Sequence, residues 1–133
     1  MALMSYLVLN WSVKFCDEFA VEMDQLPEDV ADHIFAAVRR LQLDGPNLGR
    51  PAVDTLRGSK YPNMKEFRFD AADGVWRIAF AFDHVRQAIF LVAGDKSGGS
   101  EQRFYRELVR KADLRFASHL ASAKSSQEKS KGA

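Results

Sequence analysis

Two arginines stand alone in hydrophobic, strand-like runs, and they are the residues of this sequence best suited to hold an anion. Side chains alternate between the faces of a strand, so Arg77 shares a face with Ala79 and Ala81, which leave room above the sheet. A hairpin turn at residues 71–74 puts Arg68 roughly opposite Arg77. Like charges in that position repel each other, and an anion bound between them would remove the repulsion. The pattern therefore predicts a shallow cationic cleft.

The same residues have an ordinary structural interpretation, which the pattern leaves open. A second hairpin puts Arg77 opposite Ala93, with Asp95 diagonally near it. Arg68 and Arg77 would then be solvent-facing residues of a half-exposed antiparallel sheet, paired with Glu66 and Asp95.

The hydrophobic pattern predicts an α+β fold. Two N-terminal helices pack on a small, mainly antiparallel sheet, and a further helix follows at the C-terminus. The predicted strands are one at 6–11, a short one at 53–56 and three between 64 and 95. The first predicted helix is capped by Ser12, with Phe15, Phe19, Met23 and Leu26 at helical spacing, and the second runs from Pro27 to Gly45, with its apolar stripe at Val30, Ile34, Ala37, Val38 and Leu41. The last predicted helix, at about 100–119, is capped by Ser100 and has its inner stripe at Phe104, Leu108, Ala112 and Phe116.

Length and composition fit one globular domain. The chain has 133 residues, of which we assign 1–121 to the domain and expect the small, polar tail 122–133 to be disordered. The single cysteine, Cys16, excludes an internal disulfide, and its apolar neighbours predict a buried thiol. No apolar run approaches the roughly 20 residues of a membrane span, and the N-terminus lacks a basic leader, so we expect a cytoplasmic protein without membrane contact.

Charge is unevenly distributed along the chain, although the net charge is only +1. Residues 1–49 hold 3 Lys or Arg against 8 Asp or Glu, whereas residues 50–133 hold 16 against 10. A net charge near zero is therefore compatible with a basic functional surface and an acidic surface on the opposite side of the protein.

Standard catalytic motifs are absent from the sequence. It has no phosphate-binding loop, dinucleotide fingerprint or nucleophile elbow. His33, His84 and His119 lack the spacing and the neighbours of metal ligands. We therefore expect neither a metal site nor a cofactor.

Four short motifs, taken in order, are similar to those of a known family. They are LRGS at 56–59, EFRF at 66–69, WRIAFAF at 76–82 and GDKSG at 94–98. In this order the chain resembles the RelE-like toxins of bacterial toxin–antitoxin pairs, particularly the HigB and phage-derived branch. The resemblance covers residues 26–116 and implies the same fold that the hydrophobic pattern predicts.

The resemblance implies a nuclease that cuts messenger RNA in the ribosomal A site and is silenced by a helix-turn-helix antitoxin. Such an enzyme needs no metal, because the RNA supplies its own nucleophile, the 2′-hydroxyl. The protein must align the attack, stabilise charge on the phosphate and manage two protons. Two other functions stay open: inhibition of DNA gyrase, as in the ParE branch of the fold, and a degenerate toxin that only binds its antitoxin.

Family positions on the strands carry over unevenly to this sequence. Arg77 matches the family's phosphate-binding arginine, and Arg68 matches one of two basic positions on the preceding strand. The other basic position falls on Glu66, with Lys65 one residue out of phase as an RNA-binding candidate. Glu66 is therefore either a departure that lowers RNA affinity or a candidate general base.

The end of the last strand and the final helix supply the remaining candidates. The resemblance implies catalytic roles for Asp95, Lys96 and Tyr105. Lys96 would hold a phosphate or act as general acid, and Tyr105 would stack on a base or donate a proton, unless it simply packs at the helix edge. The remaining cations of the helix are either its solvated face or contacts to ribosomal RNA; they are Arg103, Arg106, Arg110 and Lys111.

Overall fold

The computed structural model describes residues 11–132, with side chains as far as residue 126. Most of the predicted strand at 6–11 lies outside the described residues. The elements are β1 (Ser12–Phe15), α1 (Asp17–Met23), α2 (Glu28–Asp44), β2 (Val53–Thr55), β3 (Met64–Ala71), β4 (Gly74–Phe82), β5 (Gln87–Asp95) and α3 (Glu101–Gly132), with a short 3₁₀ turn at Gly45–Asn47. This order confirms the predicted α+β fold.

The strands form one sheet in the order β1-β5-β4-β3-β2. β1 runs parallel to β5, and every other neighbouring pair is antiparallel. α2 lies on one face, where the His33 ring stacks on Phe69 at 5.2 Å. α3 lies on the other face, where Tyr105 reaches Glu66 and Arg77. Residues that alternate along β3 and β4 therefore point either to α2 or to α3.

The predicted start of the first helix is wrong. Ser12 and Phe15 belong to β1, and α1 begins at Asp17. Phe15 pairs with Phe90 of β5, and the two rings stack at 5.6 Å. The Phe15 ring also contacts Phe19 of α1 at 4.8 Å, so the spacing that indicated one helix arises from a strand and a helix that pack into the same core.

The second helix and its apolar stripe are confirmed. Four of its five predicted inward positions are fully buried, and Val38 is partly buried. Pro27 precedes the helix as its N-cap. Gly45 ends it with a φ of +52°, and a Cβ there would lie 2.3 Å from the Trp11 indole nitrogen. The position therefore suits glycine on both conformational and steric grounds.

The small residues on the Arg77 face do not line an open cleft along the whole strand. Ala79 and Ala81 have no solvent exposure, because α3 packs over this part of β4. Small side chains let the helix approach the sheet closely. The predicted cleft is therefore confined to the Arg77 end of the strand.

The final helix begins as predicted and continues further than predicted. The Ser100 hydroxyl accepts a hydrogen bond from the Arg103 amide at 3.2 Å, which confirms the cap. Leu108, Ala112 and Phe116 are buried, as the pattern predicts. The helix runs to Gly132, beyond the predicted end near residue 119. The domain boundary at 121 and the disorder of 122–133 stay predictions. Among the described residues, no helix is long and apolar enough to cross a membrane.

The LRGS motif anchors α3 to the sheet. Its Ser59 hydroxyl donates a hydrogen bond to Asp113 of α3, and the Lys60 amide donates to the same carboxylate at 3.1 Å. The Tyr61 ring packs edge-on against Phe116 nearby, with centroids 4.9 Å apart. Asp113 therefore fixes the segment before β3 against the helix that carries Tyr105.

We expect Asp113→Ala to lower the free energy of unfolding by about 1–2 kcal/mol. The variant leaves a partly buried hydroxyl and an amide without their acceptor, and the better helix propensity of alanine offsets a few tenths of this loss. Urea denaturation measures the effect. Gln102→Ala, at an exposed position of the same helix, is the control and should change stability by less than about 0.5 kcal/mol. An equal effect of both substitutions would contradict the anchoring role.

Candidate active site

The two strand arginines face each other, and a buried carboxylate lies between them. Arg68 is paired with Arg77 in the β3–β4 register, as predicted from the turn. Glu66 Oε1 lies 2.8 Å from Arg68 Nε and 3.5 Å from Arg77 Nε. Only 3% of Glu66 is exposed. The like-charge repulsion that the sequence predicts is thus offset by a carboxylate of the protein itself.

Tyr105 of α3 completes this arrangement. Its hydroxyl lies 3.1 Å from Glu66 Oε1 and 3.2 Å from Arg77 Nε. Arg77 also donates through Nη1 to the Trp76 carbonyl oxygen at 2.9 Å, which fixes the guanidinium. We call Glu66, Arg68, Arg77 and Tyr105 the Glu66 cluster. It joins β3, β4 and α3 in one hydrogen-bonded network.

Asp95 does not pair with the arginines. A β-bulge between Ala79 and Phe80 shifts the register, so Arg77 lies opposite Gly94 rather than the predicted Ala93. The Asp95 carboxylate instead accepts hydrogen bonds from the Ser97 hydroxyl and amide and from the Val75 amide. These bonds, chiefly the one from the Ser97 hydroxyl, lower the pKa of Asp95. Its observed contacts are those of a residue that closes the turn after β5, outside the cleft.

Lys96 lies beside the Glu66 cluster. Its amide donates to the Val75 carbonyl oxygen at 2.7 Å and so continues the β4–β5 ladder by one residue. Its ammonium lies 2.6 Å from Glu101 Oε1 and 5.9 Å from the centre of the Tyr105 ring. The hydrogen bond from Lys96 lowers the pKa of Glu101, so this carboxylate stays charged and holds the lysine in place.

These side chains line one cleft of about 510 Å³. All of its residues come from the basic part of the chain, 50–133. The lining residues are Arg50, Asp54, Thr55, Arg57, Glu66, Arg68, Arg77, Lys96, Glu101 and Tyr105. Sequence reasoning predicted five of them as site residues, at positions 66, 68, 77, 96 and 105.

The wall formed around β2 was missed. Asp54 accepts from Arg50 Nε at 3.3 Å and from Arg68 Nη2 at 3.4 Å. A hydrogen bond from the Thr55 amide is the main cause of its lowered pKa, and both arginines add to it. Arg57 lies in the LRGS motif, which was the available signal, but its loop position gave no periodicity from which to place it.

The predicted RNA-binding cations lie outside the cleft. Lys65 contacts the Thr55 hydroxyl at 3.4 Å. Arg103 lines a separate cavity of about 340 Å³ beside α3. Arg106 is exposed, and exposed Arg110 pairs with Glu107 at 2.9 Å. The three arginines form an exposed cationic surface of α3, where ion pairs contribute little to stability.

Cys16 is buried, as predicted, and its burial raises the pKa of the thiol. The thiol lies 3.5 Å from the Leu91 carbonyl oxygen, so it is a protonated core residue rather than a nucleophile.

The fold and the arginine-lined cleft define a class of protein. A small, mainly antiparallel sheet between N-terminal helices and a C-terminal helix is the arrangement that the RelE-like resemblance implies. Residues 21–117 match the family described as phage-derived protein Gp49-like. The chain belongs to this family, which confirms the resemblance to the phage-derived branch of RelE-like toxins.

Two relatives come from Mycobacterium tuberculosis (strain ATCC 25618 / H37Rv). The chain is 46% identical to "Putative toxin HigB2" over 100 residues, which cover 74% of this chain and 49% of HigB2. It is 43% identical to "Putative toxin HigB3" over 97 residues, which cover 73% of this chain and 82% of HigB3. The match therefore spans about half the length of HigB2 and most of HigB3. No solved structure matches the chain significantly.

Proposed function

We propose that this protein is the toxin of a toxin–antitoxin pair and that it cuts messenger RNA on the ribosome. The names of the two relatives support the toxin role. The observation that carries the nuclease role is the cleft itself. Arg68, Arg77 and Lys96 converge there from three different strand segments, with Tyr105 above them. Guanidinium groups bind phosphate oxygens through paired donors, so the site suits a phosphodiester.

In the proposed reaction the 2′-hydroxyl of the RNA attacks the adjacent phosphate, and the 5′-oxygen of the next nucleotide leaves. Arg77 stabilises the negative charge that builds up on the phosphate oxygens, and Arg68 holds the substrate beside it. Lys96 gives a proton to the leaving 5′-oxygen. Glu101 keeps the lysine directed into the cleft. The products are a 2′,3′-cyclic phosphate and a 5′-hydroxyl.

We propose three further properties with this function. The partner that silences the protein is a helix-turn-helix antitoxin. The ribosome with messenger RNA in its A site presents the substrate, and exposed Arg103, Arg106 and Arg110 contact ribosomal RNA near the cleft. The protein acts in the cytoplasm without metal, cofactor or membrane.

Induced expression in a bacterial host, with primer extension on abundant transcripts within minutes, tests this proposal. Growth arrest with new, codon-phased RNA ends is the expected result. Growth arrest without new RNA ends, together with DNA damage caused by gyrase, would mean that the protein inhibits gyrase and is not a nuclease. No arrest would indicate a degenerate toxin that only binds its antitoxin.

A further inference from the structure

We propose that the outer edge of β5 and the groove beside it bind an extended segment of a partner protein, which adds a strand to the sheet. The segment carries apolar side chains that alternate with carboxylates. The site shares Lys96 with the lining of the arginine-lined cleft and is otherwise built from other residues. The inference therefore goes beyond the proposed nuclease function and does not depend on it.

The outer edge of β5 is covered along only part of its length. β1 pairs with β5 from Gln87 to Phe90. The carbonyl oxygen of Leu91, the next residue, accepts a hydrogen bond from Arg115 Nη1 at 2.8 Å. Among the described residues, no strand lies beside 92–95 on this side of β5. An unpaired strand edge presents amide and carbonyl groups with which another chain can pair.

The hydrogen bonds between β4 and β5 determine which of these backbone groups are free. In an antiparallel pair, alternate residues bond to the neighbouring strand. The Lys96 amide donates to the Val75 carbonyl oxygen at 2.7 Å, and Gly94 and Val92 continue this ladder along β5. The residue between them, Ala93, therefore directs its amide and its carbonyl group to the open edge.

Two cavities meet at this edge. One, of about 340 Å³, lies along α3, and the other, of about 220 Å³, lies beside α1. Val92, Ala93 and Lys111 line both cavities, so we treat them as one space and call it the edge groove. Leu26, after α1, and Phe104, of α3, add apolar surface to it, because both side chains are only partly buried.

The charges of the edge groove indicate an acidic partner. The two glutamates that line the groove are already paired with arginines, Glu22 with Arg115 at 2.7 Å and Glu107 with Arg110 at 2.9 Å. Lys111 is exposed at the junction of the two cavities, and no carboxylate among the described residues forms an ion pair with it. A carboxylate of the partner would complement this lysine.

Alternation along a strand converts these features into a sequence pattern. A segment that pairs with β5 points successive side chains to opposite faces of the sheet. The side chains directed towards α1 meet Leu26 and are apolar, and those directed towards α3 pass Lys111 and are acidic. RNA has no peptide groups that could continue the sheet, so the open edge at Ala93 favours a protein segment over RNA.

The test measures amide hydrogen exchange of the full-length protein by NMR, with a synthetic peptide that alternates valine and glutamate. In the free protein the Ala93 amide should exchange quickly and the Gly94 amide slowly, because Gly94 is bonded to β4. With peptide at about ten times its Kd, exchange at Ala93 should slow by about tenfold, since only the free fraction exchanges. The same peptide with an N-methylated backbone keeps its side chains but cannot pair, and it should not protect Ala93.

Two substitutions separate the contribution of the strand edge from that of the charge. Ala93→Pro removes the donor on the open edge and leaves the β4 ladder in place, so peptide affinity should fall by about fivefold to tenfold, the effect of one lost hydrogen bond. Lys111→Glu should lower affinity by a similar factor of about five to ten. Lys124→Glu, at an exposed position further along α3, is the matched control and should leave affinity unchanged. Circular dichroism verifies that each variant is folded.

Each contrary outcome is distinct. Slow exchange of the Ala93 amide in the free protein, or no protection of it by the valine–glutamate peptide, would overturn the proposal. Equal binding of the N-methylated peptide would exclude strand addition. Equal effects of Lys111→Glu and Lys124→Glu would overturn the role of Lys111. Protection of Ala93 by a short single-stranded RNA but not by the peptide would assign the groove to RNA. No ribosome or cleavage assay is involved, so these results leave the nuclease proposal untouched.

Discussion

Replacing Arg77 with alanine is expected to abolish growth arrest and to slow messenger cleavage by about 100-fold to 1,000-fold. Arg77 is the arginine held most firmly in the cleft, by the Trp76 carbonyl oxygen and by Tyr105. A fixed cation of this kind stabilises charge on the phosphate without reorganising during the reaction, and loss of one such donor has an effect of this size. The fold should survive, because Arg68 still pairs with Glu66.

The measurement is the cleavage rate on ribosomes, together with circular dichroism of the purified variant. Arg110→Ala is the matched control, since it removes an exposed arginine of α3 whose one ion pair among the described residues is with Glu107. The control should retain strong cleavage and lose at most part of its ribosome affinity. Normal cleavage by a folded Arg77→Ala variant would contradict the assignment of Arg77. Unfolding of that variant would mean that the arginine supports the core rather than the reaction.

Replacing Glu66 with leucine is expected to lower the free energy of unfolding by about 2–4 kcal/mol. Removal of one partner from a buried ion pair typically costs about 3–5 kcal/mol, and we reduce the estimate because 37% of the Arg68 side chain is exposed to solvent. The variant leaves Arg68 and Arg77 facing each other without the carboxylate between them, and Tyr105 loses its acceptor. Glu66→Gln should cost less, since the amide oxygen still accepts hydrogen bonds.

Denaturant unfolding of a double variant isolates the electrostatic cause. Arg68→Met added to Glu66→Leu removes one of the two opposed charges. The double variant should therefore lose less free energy of unfolding than the sum of the losses in the two single variants. High salt should also restore part of the stability of Glu66→Leu. Strict additivity, with no effect of salt, would mean that Glu66 contributes packing rather than charge compensation.

Alternation of side chains was sufficient to predict the part of the site that lies on β3 and β4. It placed Arg68 opposite Arg77 because the turn between these strands is short and the strands are regular on both sides of it. The same reasoning failed one strand further on, where a bulge moved Gly94 into the position expected for Ala93. A bulge adds one residue without an evident mark in the hydrophobic pattern.

Three-dimensional contacts decided what the pattern could not. The small side chains of Ala79 and Ala81 predicted open space above the sheet, but the length and position of α3 determine whether that space is open. The spacing of Phe15 and Phe19 predicted a single helix, although Phe15 lies in β1, because the two rings pack into the same core. The role of Glu66 between two arginines depends on its rotamer and on Tyr105, which is 39 residues away in sequence.

The most direct test of the nuclease proposal is to incubate the purified protein with defined messenger RNA, with and without ribosomes that present it in the A site, and to analyse the new ends. We predict cleavage only with ribosomes, at a fixed position relative to the codon, leaving a 2′,3′-cyclic phosphate and a 5′-hydroxyl, and loss of this cleavage in Arg77→Ala. The proposal would be contradicted if the protein arrests growth when expressed in cells but the purified protein leaves messenger RNA intact in the presence of ribosomes.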